Sequence, residues 1–276
     1  MFKKDLLSIL RDDPSQDRGF VYFQGTEDKG IIRRGKVRSP ATGETYVIKN
    51  GYLDMLRRTV RADNIANVIN YLPGAGFGYE PLWRVHSLSL LIGEHFTNER
   101  ELRMMSSLVR LDGGGVFLDL GCSSGLYTRN MAERLGGDGE MIGIDLAPSM
   151  LREAARRARQ SNVRPSFVRA SADNLPFADA SFAGAVCGGT LNELGDAGAA
   201  LLEVRRTLRP GGRLAIMGIL KAETKSGAYF QRFLNTGGVQ FFTTDEVRSL
   251  LTKAGLEPDA VISRGPVFFA SASHQG

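Results

Sequence analysis

Little in this chain could bind a metal or staple a fold. Its 276 residues include two cysteines, three histidines and one tryptophan. Cys122 and Cys187 cannot build a disulfide framework or a four-thiolate zinc site, and they read as two reduced, semi-buried small residues. With only His86, His95 and His274 beside them, no metal site is expected. Long apolar runs are missing too. None approaches the roughly 20 residues that a membrane helix needs. The stretch from Met1 to Leu10 has too short an apolar core for a signal peptide, and Asp12 and Asp13 follow at once. The expectation is a cytoplasmic protein.

Hydrophobic residues make up 42% of the chain, enough for a sizeable core. The net charge of +5 is concentrated locally. From Lys29 to Arg61, nine basic residues face only Glu44 and Asp54, a net of +7. Such a segment fits either a solvated face or a contact with RNA. It lacks the interleaved aromatics of a single-strand binding platform.

Four regions follow from the pattern. Residues 1–30 read as a polar tail, broken by Asp12-Asp13-Pro14-Ser15. Residues 31–60 read as a small ribbon-like unit, with strands on either side of Ser39-Pro40-Ala41-Thr42-Gly43 and a turn at Asn50-Gly51. Residues 61–112 read as a helical cap or lid, and residues 113–276 as the main domain. Apolar runs in that domain fall at 116–120, 141–146, 166–170, 182–188, 213–220, 260–263 and 266–271, with helical periods between most of them. This alternation predicts an α/β fold, a doubly wound and mostly parallel seven-stranded sheet. Only Arg264-Gly265 separates the last two runs, so the sheet should finish with an antiparallel strand.

The chemistry starts at Asp119-Leu120-Gly121-Cys122-Ser123-Ser124-Gly125, where a strand turns into a helix. A second strand ends at Asp145, placed to accept hydrogen bonds from ribose hydroxyls of an adenosine cofactor. The turn lacks the G-x-G-x-x-G spacing of a dinucleotide site. A carboxylate beneath it would repel pyrophosphate and suits an ammonium instead.

At these residues the chain resembles the class I S-adenosylmethionine-dependent methyltransferases of the type-11 kind, over about residues 114–272. Three further stretches share in the resemblance: Asp145, Ala170 to Phe177, and Glu203-Val204-Arg205-Arg206-Thr207-Leu208-Arg209-Pro210-Gly211-Gly212. The resemblance implies a Rossmann-like methyltransferase fold and S-adenosyl-L-methionine as cofactor. It implies that Asp119 holds the methionine ammonium, directly or through water, and that Gly121 and Gly125 let the backbone approach. Cys122, Ser123, Leu146, Met150, Ser171, Ala172 and Gly188 complete the implied cofactor set. Leu146 would pack on adenine, and Ser171 stands where the family often has Asp. Residues 31–60 resemble a zinc ribbon in which Ser39 and Thr42 replace two cysteines, so a metal is not implied.

Acceptor groups should come from loops at the carboxyl ends of the strands. Asn192 or Glu193 could orient the acceptor, and Glu193 could act as a base. The same residues fit a helix opening equally well, with Thr190 capping and Glu193 at N3. Tyr79, Trp83 and Arg84 resemble the entry segment of small-molecule methyltransferases and would lie over the active site. The leading expectation is methyl transfer to oxygen or carbon of a small, quinone- or phenol-like molecule. An RNA base methyltransferase and a non-catalytic cofactor-binding subunit are the alternatives. Ser123 replaces the usual middle glycine, and the expectation is that this position needs no positive φ.

Overall fold

A computed structural model describes residues 2–13, 16–56, 89 and 92–276. The central strands are β6 (Gly115–Leu120), β7 (Gly139–Asp145), β8 (Ser166–Arg169), β9 (Phe182–Gly188) and β10 (Leu208–Ile219). They run parallel in the order β8-β7-β6-β9-β10. A hairpin of β11 (Glu257–Arg264) and β12 (Val267–Ser273) closes this side, with β12 antiparallel to both β10 and β11. The two residues between the last apolar runs are the tip of that hairpin.

Both faces of the central strands are covered, which explains their unbroken apolar runs. Neighbouring residues enter opposite layers. Phe117, Met141, Val186 and Phe269 pack with Leu102 and Met105 of α1 (Asn98–Leu108) and with Met131 of α2 (Leu126–Leu135). Leu118, Ile142, Cys187 and Phe268 pack on the other side with Leu201 of α4 (Ala197–Thr207) and Leu251 of α6 (Thr244–Lys253). The small face of α3 (Pro148–Gln160), Ala154, Ala155 and Ala158, lies over Phe167. The remaining helix is α5 (Lys225–Thr236).

The sheet departs from the expected seven strands. It has twelve, because the N-terminal strands join it. These are β1 (Phe2–Lys3), β2 (Val21–Asp28), β3 (Ile31–Arg38), β4 (Thr45–Lys49) and β5 (Tyr52–Asp54). β5 pairs in parallel with β8, Leu53 opposite Val168 and Asp54 opposite Arg169. The ribbon-like unit is therefore an extension of the main sheet. The cause is the open edge of β8, whose unpaired backbone groups β5 satisfies.

Residues 1–30 are likewise more than a tail. Phe2 and Leu10 are fully buried, and Leu6 and Leu7 lie in the same core as β9 and β10. Leu10 bridges to Phe177, the Ala178 amide donates to the Ile9 carbonyl, and the Arg11 amide donates to that of Pro176. Periodicity missed this because the apolar cluster is short and sits beside the helix-breaking acids. Where the ribbon resemblance has two cysteines, hydroxyls converge on a carboxylate. Ser39 and Thr42 donate to Asp12 at 2.6 and 2.5 Å, and Tyr46 donates at 3.0 Å.

Of the cap expected over 61–112, residues 61–88, 90 and 91 lie outside the described residues, and α1 packs against a face of the central sheet. No helix among the described residues is long and apolar enough to cross a membrane.

If the N-terminal segment shares the main core, Leu10→Ala should cost about 2–4 kcal/mol and leave one cooperative unfolding transition. A urea titration followed by fluorescence and by circular dichroism checks both points. An unchanged midpoint would return residues 2–13 to a dispensable tail.

Candidate cofactor site

β6 ends at Leu120, and the chain turns sharply into α2. Gly121, Ser123 and Gly125 all adopt left-handed conformations, with φ of 69°, 48° and 78°. The expectation for Ser123 is therefore overturned. Its amide must turn back to donate to Asp145 Oδ2 at 2.9 Å, and its hydroxyl lies 3.5 Å from the Met150 sulfur. Those contacts hold a residue that a side chain makes unfavourable by about 1–2 kcal/mol.

Both glycines are also packed closely against the chain itself. A Cβ on Gly121 would lie 2.3 Å from the Thr190 side chain, and one on Gly125 2.9 Å from Ala154 Cβ. The chain's own side chains occupy that space. Asp119 is 2% exposed, and its Oδ2 accepts from the Thr128 amide at 2.9 Å and from the Thr128 hydroxyl at 2.5 Å. It braces the turn against α2 from below. Cys122 and Met150 are also buried, supporting the turn from within. Burial raises the Cys122 thiol well above its ordinary value, and the nearby Asp119 and Asp145 add to this.

Asp145 is half-buried at the carboxyl end of β7. Its Oδ1 accepts from the Ala147 amide at 2.8 Å and its Oδ2 from Ser123. Burial raises its pKa, while the backbone amides oppose the rise. A carboxylate offers about four lone-pair positions, and the Ala147, Ser123 and Leu146 amides engage three of them. What is left can accept from a ribose hydroxyl. Leu146 and Ala172 are half-buried beside it, and the Leu146 carbonyl accepts from Arg169 Nε at 3.0 Å. Arg169 also reaches Asp54 at 3.4 Å, tying β5 to this corner.

Ser171 donates its hydroxyl to Asp173, which is exposed. The loop they belong to is held from two sides. Glu203 accepts from the Leu175 amide at 2.8 Å, and Arg206 donates to the carbonyls of Leu175 and Phe177 at 3.0 and 2.7 Å. The N-terminal segment grips the loop from the other side. A cavity of about 400 Å³ opens beside Ser171, bordered by Asp12, Tyr46, Met55 and Asn174.

At the end of β9, Gly188 faces Tyr127. A Cβ there would meet the ring at 2.2 Å, so the backbone approaches a tyrosine at this point. Tyr127 in turn donates to the buried Glu101 of α1. Neither residue was picked out in the sequence, since a helical tyrosine and glutamate carry no motif. Thr190–Glu193 form a single 3-10 turn whose N-cap is Gly189. The Thr190 hydroxyl donates to the Gly121 carbonyl at 3.1 Å, so the capping alternative does not occur.

Asn192 and Glu193 have different fates. Asn192 is 3% exposed, donates to the carbonyls of Ile219 and Gln240 at 2.9 and 2.6 Å, and accepts from the Ile219 amide at 2.8 Å. With its polar atoms engaged in this staple, it is unsuited to orienting an acceptor. Glu193 is half-buried, and burial pushes its pKa up to about 7, with the Asp145 charge adding to the rise. Glu193 is thus near enough to Asp145 for the two charges to repel. Tyr79, Trp83 and Arg84 lie outside the described residues.

Residues 117–212 match the model of a family described as a methyltransferase domain. That stretch runs from β6 into the start of β10 and contains the whole turn, Asp145 and Glu193. Over 122 residues the chain is 33% identical to 2-phytyl-1,4-naphtoquinone methyltransferase of Trichormus variabilis, covering 44% of this chain and 53% of that one. Over 161 residues it is 34% identical to ubiquinone biosynthesis O-methyltransferase of Cereibacter sphaeroides, covering 55% and 63%. The chain thus spans about half the length of the curated relatives it matches. Geranyl diphosphate C-methyltransferase of Streptomyces coelicolor superposes with a TM-score of 0.57 at 13% identity, covering 70% of this chain and 87% of that one. This last likeness shows the fold alone, a Rossmann-like α/β arrangement.

Two substitutions separate strain from space in the turn. Ser123→Gly should raise stability by up to about 1 kcal/mol, as relief of left-handed strain outweighs a freer unfolded chain. Gly121→Ala should lower it by about 2–4 kcal/mol, through φ and the clash with Thr190. Urea unfolding measures both.

Proposed function

We propose that this chain is an S-adenosyl-L-methionine-dependent methyltransferase that methylates oxygen or carbon of a small quinone- or phenol-like acceptor. The observation that carries the reading is Glu193, a carboxyl with a pKa of about 7 at the carboxyl end of β9. Its charge interacts with that of Asp145, an acid at the end of β7 where a strand-end carboxylate meets the ribose of an adenosine cofactor. The matched relatives include a naphthoquinone and a ubiquinone-pathway methyltransferase, which supports the acceptor class.

The cofactor, when bound, supplies an activated methyl group on a sulfonium centre. The chain supplies position and a base. Asp145 would accept from a ribose hydroxyl. Ser171 and Asp173, already joined, would present an acceptor to the adenine amino group. The turn from Gly121 to Gly125 would seat the methionine portion. Glu193 would take the proton of the acceptor hydroxyl as the new bond to carbon forms, becoming a neutral carboxylic acid. Its raised pKa suits that task near neutral pH.

A second reading rests on the β2–β3 hairpin. It brings Phe23 onto Arg38, with the guanidinium carbon 4.7 Å from the ring centroid, and leaves Arg34 and Lys36 exposed. The aromatic missing from residues 29–61 is thus provided by β2, a composition that would also suit RNA.

Labelled-methyl transfer into a soluble quinol and into fractionated cell extract tests the two readings together. Label in the quinol and the small-solute fraction is expected; label confined to RNA would sink the first reading and support the second. Glu193→Gln should lower turnover by about a hundredfold or more. In the parent, kcat should rise with pH through about 7, as Glu193 becomes the carboxylate. The variant's profile should lack that limb. Stability provides an independent check. Because the folded pKa lies above the ordinary 4.5, the native state holds an extra proton between about 4.5 and 7. Its contribution therefore falls as pH rises through that window. Glu193→Gln should accordingly raise the thermal midpoint at pH 8 more than at pH 4.

A further inference from the structure

The carboxyl edge of the sheet, where the cleft opens, carries large apolar side chains that the fold leaves uncovered. α5 follows soon after the end of β10 at this edge. Its Tyr229 is 79% exposed and its Phe233 69%. Four residues apart, they stand on one face of the helix. Lys225 and Arg232, both exposed, lie on that face too. The helix contains no Asp or Glu, and none of its described side chains is buried.

α5 is nevertheless firmly attached. Gln231 donates to the Leu220 carbonyl and accepts from the Ala222 amide, both at 2.8 Å, and the Thr224 hydroxyl accepts from the Gly227 amide at 3.2 Å. Polar bonds fasten the inner side, while aromatic rings and cations point outward. A second patch lies at the same edge of the sheet. β3 runs parallel to β8, so its end at Arg38 and the start of β2 share the carboxyl edge. There Val21 is 54% exposed and Phe23 45%, beside Arg38 and Pro40.

We propose that this edge, led by α5, docks on the surface of an anionic lipid bilayer. An aromatic ridge flanked by cations and free of carboxylates is the chemistry of a helix that lies in a membrane interface. Lys36 and Arg38, exposed towards the end of β3, would draw the same edge towards anionic headgroups. Docking places the mouth of the cleft against the phase in which a lipophilic acceptor dissolves. The inference rests on the acceptor reading given above, but it can fail separately.

Flotation with vesicles tests it. The parent should float with vesicles of phosphatidylglycerol and phosphatidylcholine, less with phosphatidylcholine alone, and less as salt rises. Combining Tyr229→Ser with Phe233→Ser should reduce partitioning at least about tenfold. Arg232→Glu should weaken binding to the anionic vesicles only. All variants should keep the parent's thermal midpoint and its turnover of a water-soluble quinol. If the double variant lost that midpoint, Arg232→Glu would decide the matter. A parent that stays in solution with anionic vesicles, or variants that float as well as the parent, would overturn the proposal. Vesicle binding without transfer to any quinol would remove the acceptor reading and leave the docking intact. Transfer without vesicle binding would do the reverse.

Discussion

Two carboxylates hold one strained turn, and most of the site depends on that arrangement. Asp119 grips α2 from beneath through Thr128, while Asp145 reaches across from the neighbouring strand to the Ser123 amide. Between them the chain passes through three left-handed residues within five positions. Without these anchors, Ser123 would have little reason to remain in a conformation that costs it about 1–2 kcal/mol. The turn therefore exists before any ligand arrives. Preorganisation of this kind lowers what binding must spend on ordering the loop.

Much of the central architecture was legible. Each apolar run from 116 to 271 became a strand, because a strand buried on both faces writes a continuous signal. The two-residue gap at Arg264-Gly265 gave the closing hairpin its place. Joining of the N-terminal strands to the sheet was not legible. Edge pairing uses backbone groups, which every residue carries, so no side-chain pattern announces that β5 will lie beside β8. The site was read with similar limits. Asp145 ends β7 and Glu193 lies in the turn after β9, at the strand ends where the sequence placed them. Asn192, chemically just as plausible, is consumed by the backbone of Ile219 and Gln240. Only three-dimensional neighbours distinguish such residues.

The glycines teach a related lesson. Their positions in a familiar motif suggested room for a cofactor, yet the atoms nearest Gly121 and Gly188 belong to Thr190 and Tyr127. Here the small residue lets one part of the protein approach another. Ligand geometry is then set indirectly, through the path that the closely packed turn is forced to take. The clamp of Glu203 and Arg206 on Leu175 and Phe177 acts in the same way, fixing a loop that lines the cleft by holding its far side.

The pairing of β5 with β8 also bears on how the chain is made. The strands from β2 to β5 pair with one another in sequence order. Their last edge must then wait, since Arg169, which reaches back to Asp54, follows it by 115 residues. Closing so long a loop carries an entropic cost that neighbouring hairpins avoid. During that interval the β5 edge is open to any passing strand. A nascent chain of this design would gain from slow initiation or from a chaperone that shields the meander, until β8 is synthesised and closes it.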